Sequence, residues 1–142
     1  MGNLGDINND VSVYTAAEVD TLVAIAKEIK FSYPNGMQTQ NGSYEVLARF
    51  EFGGSANVGV PGSAKVIAFK NAGGINGRVR IYDVTNAQVI CETALFVNTA
   101  PVIIDCGSLS NIPNGAAVWE VQALRTGVGS DYCEVNALSV KF

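Results

Sequence analysis

Tyr44-Glu45-Val46-Leu47-Ala48-Arg49-Phe50-Glu51-Phe52 is the stretch at which the chain changes its period. Val46, Ala48, Phe50 and Phe52 recur every second residue, which places them on one face of a strand. Gly53-Gly54 ends the run. From there to Phe142 the same alternation keeps returning between turn signals. Ala64–Phe69 is a nearly continuous apolar strand. Arg78–Val84 alternates, with Val79 and Ile81 against Arg78, Arg80 and Tyr82. Gln88–Val97, Val102–Cys106, Ala117–Thr126 and Tyr132–Phe142 follow.

The breakers between these runs carry turn chemistry. They are the Gly-Gly and Asn-Gly pairs of residues 71–77, Thr85-Asn86-Ala87, the Asn98–Pro101 segment, and residues 111–115, where Pro113 excludes a central strand. Gly127-Val128-Gly129-Ser130-Asp131 has the composition of a hairpin loop. No helical segment alternates with the strands, which argues against a parallel α/β sheet. No repeat at a solenoid or propeller period is visible. The reading is a mainly β chain, an antiparallel sandwich of jelly-roll type.

Upstream, the period is helical. Residues 1–13 are a polar arm. Thr15-Ala16-Ala17-Glu18 is a Thr-x-x-Glu capping box that opens a helix predicted over Thr15–Lys30. Val19, Leu22, Ala26 and Ile29 form an apolar seam, widened by Val23 and Ile25. Phe31-Ser32-Tyr33-Pro34-Asn35-Gly36 is expected to stop the helix, because Pro34 disfavours helix before it and Asn-Gly favours a turn. Met37–Ser43 is a polar connector. The expected division is residues 1–36, arm and helix, and residues 37–142, β domain. No second helix receives the seam, and an exposed seam is costly. It either lies on its own sandwich as a lid or pairs with sister chains. Val19, Leu22, Val23, Ala26 and Ile29 are the oligomer-interface candidates.

A chain of 142 residues buries enough surface to fold as one domain with no metal or disulfide. The net charge is −4, and the nine Lys and Arg form no stripe, which argues against a nucleic-acid partner. No apolar run is long enough to span a membrane. The opening residues lack an apolar signal region, so synthesis and folding in a cytoplasm are expected, with Cys91, Cys106 and Cys133 as buried free thiols.

The absence of histidine removes the commonest general base and every Ser-His or Cys-His nucleophile. Glu45, Glu51, Glu92, Glu120 and Glu134 lie on predicted strands, but an all-β domain places carboxylates on its outer faces in any case. No catalytic residue, cofactor or metal ligand is therefore expected. Asp6-Ile7-Asn8-Asn9-Asp10-Val11-Ser12 is similar to the start of an EF-hand calcium loop. Val11 stands where that loop needs Gly, and Ala17 where it needs an acidic ligand. A polar arm with Asx turns accounts for it. Trp119 shares a face with Val121 and Ala123 and is expected in the core. Tyr33, Tyr44, Tyr82 and Tyr132 look scattered.

Tyr14-Thr15-Ala16-Ala17-Glu18-Val19-Asp20 resembles an element common in fibre and tail-fibre proteins of tailed bacteriophages, where it opens a short helix in a trimeric stalk. Arg78–Asn86 and Val118–Ala123 resemble phage β-sandwich domains. The resemblance implies a non-enzymatic homotrimer of the virion. Without repeats or an extended heptad stalk, a capsid decoration protein or short head fibre on the capsid exterior fits better than a long fibre. The partner implied is the major capsid protein or another virion protein, with Asn3, Leu4, Asp6, Asn8 and Asp10 as attachment candidates. A tail-fibre-tip module binding a host-surface glycan is the alternative.

Overall fold

The computed structural model describes residues 28–142. Eight strands run in chain order: β1 (Glu28–Thr39), β2 (Glu45–Phe52), β3 (Ser63–Lys70), β4 (Asn76–Asp83), β5 (Gln88–Glu92), β6 (Val102–Asp105), β7 (Ala117–Thr126) and β8 (Cys133–Lys141). One short helical turn, α1 (Ser55–Val58), follows β2. The strands form two four-stranded sheets, ordered β1-β8-β3-β6 and β2-β7-β4-β5. Every pairing is antiparallel. Apart from the β4–β5 hairpin, each connection passes from one sheet to the other, which is the jelly-roll arrangement of a double-sheet sandwich.

The core lies between the inner faces. Phe52, Trp119, Val79, Ile81, Val121, Ala123, Val135 and Val140 have no solvent exposure. Trp119 stacks on Phe52 with ring centroids 4.2 Å apart and meets Phe50 edge-on at 5.9 Å. Such contacts add to the area term, which for a buried aromatic is already the largest of any side chain. Cys91, Cys106 and Cys133 are buried free thiols, as expected.

Several sequence expectations are corrected here. Residues 28–39 are not the end of a helix, its stop and a connector, but the strand β1, paired along β8 from Glu28↔Lys141 to Thr39↔Cys133. The register shifts between Ser32 and Met37, so the Pro34-Asn35-Gly36 turn chemistry is expressed as a bulge inside a strand rather than as a break. Gly36 has φ 68°, and any Cβ there would overlap the Glu134 side chain. Ile29, placed on the helical seam, pairs with Val140 and packs on the core. The division drawn between residues 36 and 37 therefore falls inside β1. A second bulge, between Val46 and Ala48, turns Leu47 inward and leaves Val46 43% exposed. The Gln88–Val97 run ends as a strand at Glu92, and Phe96 makes only an isolated bridge to Gly77. Residues 127–131 do not close a hairpin, since β7 and β8 lie in different sheets. They arch between sheets and are held by Arg125, whose Nη1 donates to the Gly127 carbonyl and Nη2 to the Gly129 carbonyl at 2.6 Å.

Gly77 shows how tightly the end of the sandwich is filled. A Cβ at this position would overlap the Phe96 ring and come within 2.9 Å of the Cys133 Cβ. Gly77→Ala should cost about 1–3 kcal/mol, the range for overpacking a filled core. Gly73→Ala, where a Cβ meets nothing within 4 Å, is the control. Urea denaturation of the two variants against the parent measures the difference.

Candidate binding face

The outward face of the β2-β7-β4-β5 sheet carries a continuous polar network. Register places the side chains in cross-strand rows: Arg49↔Glu120 and Tyr82↔Glu120 in one, Val46↔Gln122, Arg80↔Gln122 and Arg80↔Glu92 in the next. Arg49 Nε donates to Glu120 Oε1 at 2.7 Å. Gln122 Nε2 donates to Glu120 Oε2 at 2.6 Å, and Arg80 Nε donates to Gln122 Oε1 at 2.7 Å. Glu120 and Gln122 are only 4% and 7% exposed although they face outward. A buried carboxylate or amide is costly without partners, so this chain of bonds is what permits them there.

What covers them is aromatic. The Arg80 guanidinium lies 3.8 Å from the centre of the Tyr44 ring and 4.8 Å from that of Tyr82, which makes two cation–π contacts. Tyr44 precedes β2, yet its hydroxyl donates to Glu92 Oε2 on β5, so the side chain reaches across the sheet. Arg78 Nη1 stands 3.8 Å from the other Glu92 oxygen. Burial, then the hydrogen bond to Glu92 and that carboxylate's negative charge, hold the Tyr44 hydroxyl well above the usual tyrosine range. The phenol therefore stays protonated and remains a donor.

Two further surfaces stand out. Leu95, Val97, Val102 and Ile103 are 41%, 67%, 43% and 69% exposed. Val102 and Ile103 lie on β6, the edge strand of the other sheet, and Leu95 and Val97 lie in the β5–β6 connection on either side of Phe96, which bridges Gly77 of β4. Ile103 also lines a groove of about 310 Å³ on that sheet's outer face, together with Glu28, Lys30, Lys65, Ile67 and Lys141.

The residues proposed from sequence fare differently. Val19, Leu22, Val23 and Ala26, and the attachment candidates Asn3, Leu4, Asp6, Asn8 and Asp10, lie outside the described residues, as does the calcium-like stretch. Ile29 is in the sheet. Trp119 is a core residue, as expected. Of the carboxylates, Glu92 and Glu120 share the polar face, while Glu134 on β8 accepts from Gln38 and Asn136, each at 2.8 Å. No group of three or more Cys, Asp or Glu able to hold a metal occurs among the described residues. No helix among them is long and apolar enough to cross a membrane. The cluster of Tyr44, Arg80, Tyr82 and Glu92 was not singled out from the sequence. The outward alternation of Arg78, Arg80 and Tyr82 was its one visible sign.

No family model and no curated protein matches the chain. Among solved structures it is similar to a chain in the structure of infectious bursal disease virus Gx strain, with TM-score 0.54 and 7% identity over 82% of this chain. A chain of the Gt strain gives 0.52 and 10% over 80%. This chain spans about a third of each of those viral chains, 33% and 32%. The carbohydrate-binding module CBM36, solved in complex with calcium and xylotriose, gives 0.48 and 11% over 80% of this chain and 99% of that one. At these identities the viral likeness is one of fold: the chain is an antiparallel β-sandwich of a kind also found in a virus.

The buried protonated groups give the sandwich an alkaline limit. Burial pushes the Cys133 thiol up from 9.0 to about 11. Cys106 is raised by its hydrogen bond with Cys91 and by burial, and Tyr44 is raised as described. Each group keeps its proton in the folded state where the unfolded chain releases it. Their contribution is thus complete below the unfolded pKa and is lost as pH rises. Melting temperature, measured under reducing conditions, should fall from about pH 9 upward. Cys133→Ala should flatten the decline between about pH 9 and 11, and Tyr44→Phe that above about pH 10.

Proposed function

We propose that this protein is a non-enzymatic structural component of a bacteriophage particle, a capsid decoration or cement protein or short head fibre, acting as a homotrimer bound to the capsid exterior. The observation that carries the reading is the set of exposed apolar side chains on a jelly-roll sandwich, Val102 and Ile103 on the β6 edge strand and Leu95 and Val97 in the connection leading to it. An edge strand with large apolar side chains and unpaired backbone groups invites pairing with another chain.

The position of Ile29 changes how self-association has to work. With Ile29 held in β1, the expected interface set loses one of its five members to the sheet, and Val19, Leu22, Val23 and Ala26 lie outside the described residues. The β6 edge then supplies most of the contact, and the segment before Glu28 adds to it. The trimeric order and the capsid partner come from the resemblance to phage virion proteins. Three linked attachments would strengthen the grip on a shell through effective concentration, with no chemistry required. Synthesis in the host cytoplasm and a final place in the virion accompany this reading.

Size-exclusion chromatography with light scattering at micromolar concentration should give about three times the 14.9 kDa chain mass. Val97→Asp and Ile103→Asp should shift it to one chain without loss of the folded far-UV signal. Antibodies to the sandwich should label the outside of intact particles. A monomeric parent protein would end this reading.

A further inference from the structure

On the β2-β7-β4-β5 face, a donor and an acceptor are held side by side without touching. Arg78 Nη1 and Glu92 Oε1 are 3.8 Å apart, too far for a hydrogen bond, and their side chains are 35% and 36% exposed. Arg78 Nε is buried and has no partner among the described residues. The other Glu92 oxygen is already occupied by the Tyr44 hydroxyl, which fixes the carboxylate in place. A group that accepts from a guanidinium and donates to a carboxylate at the same time fits this gap. A hydroxyl does both with one oxygen.

Next to the gap lies a flat apolar surface. The Tyr44 ring is tethered to Glu92 at its hydroxyl and rests on the Arg80 guanidinium, with Tyr82 on the guanidinium as well. The Arg80 Nε is spent on Gln122, so the pair of rings is locked from below. An aromatic ring that is fixed and half-buried, with a hydroxyl-matching pair at its rim, suits a ligand with one apolar face and equatorial hydroxyls.

We propose that this face binds a neutral pyranose unit of a glycan. The C–H face of the sugar stacks on Tyr44, and one of its hydroxyls bridges Glu92 and Arg78. The free Glu92 oxygen at the gap requires a donor, which a hydroxyl supplies and a carboxylate, sulfate or phosphodiester oxygen does not, so a neutral sugar fits here although Arg49, Arg78 and Arg80 share the face with Glu92 and Glu120. The inference goes beyond the assembly reading and does not depend on it.

A glycan array carrying neutral and acidic oligosaccharides tests it, followed by calorimetric titration of the strongest neutral oligosaccharide. The expected result is binding of neutral glycans that weakens roughly tenfold or more in Tyr44→Ala and in Glu92→Gln. Tyr132→Ala, away from the network, should bind as the parent does. Glu92→Gln preserves shape, and its melting curve separates lost contact from lost fold. Val97→Asp should keep the per-site affinity, so a failure of assembly cannot be mistaken for a failure of this site. No binding, binding confined to acidic glycans, or affinity unchanged in both site variants of intact fold would each overturn the proposal, whatever the oligomeric state.

Discussion

β7 is buried on both of its faces, and most of the molecule follows from that. Its inward side chains, Trp119, Val121 and Ala123, are the centre of the core and have no exposure. Its outward side chains, Glu120 and Gln122, are nearly as buried but polar. The inner set draws in Phe50 and Phe52 from β2 and Val79 and Ile81 from β4 by area and shape. The outer set cannot be covered by apolar groups without stranding a carboxylate and an amide, which costs more than their hydrogen bonds return in water. Arg49 and Arg80 meet that demand, one from each neighbouring strand. Arg80, once held, becomes the floor on which Tyr44 and Tyr82 rest. The binding face is thus a consequence of burying the middle of a central strand, Trp119–Ala123, on both faces.

The sandwich was legible in the sequence where the period of two is undisturbed. Ala117–Thr126 was read to the residue, and Arg78–Val84 had its inward and outward sets assigned correctly. Legibility failed where a bulge intervenes. At Leu47 one extra residue reverses the alternation, so Val46 does not share the face of Ala48, Phe50 and Phe52 on which the period of two puts it. β1 was missed for two reasons. The capped helical pattern starting at Thr15 runs on to Ile29 and Lys30 without an internal stop, and Pro34-Asn35-Gly36 is a breaker by every local rule. Pairing with β8 on both sides of the bulge overrides these local preferences. Likewise Gly127–Asp131 has the composition of a hairpin loop, but composition does not say which sheet the next strand joins.

The polar face was illegible for a different reason. Its members are ordinary outward residues of strands distant in sequence, such as Tyr44 and Glu92, which only the strand order β2-β7-β4-β5 brings together. Jelly-roll topology separates sequence neighbours between sheets and joins remote strands within one. A site of this kind leaves no spacing motif. The buried core could be listed from pattern alone because burial is a property of each position. The network is a property of pairs.

An edge contact through β6 and a ligand on the outward face of the opposite sheet are compatible uses of the same sandwich. β6 presents unpaired backbone laterally and Ile103 on the outer face of its own sheet, whereas Tyr44, Arg80 and Glu92 lie on the outer face of the opposite sheet. The two surfaces also differ in what association costs. At the edge, exposed Val97 and Ile103 gain by leaving water, and the backbone of a short strand gains partners. On the face, the side chains are already fixed by their bonds to one another before any partner arrives. Arg80 is held by Gln122 and two rings, and Glu92 by Tyr44. Little rotamer entropy remains to be lost there on binding, so even a small ligand making one stacking contact and one bridging hydroxyl retains most of what those contacts return. Repetition of that modest site across the chains of an oligomer would then raise the grip on a multivalent surface without altering the site itself.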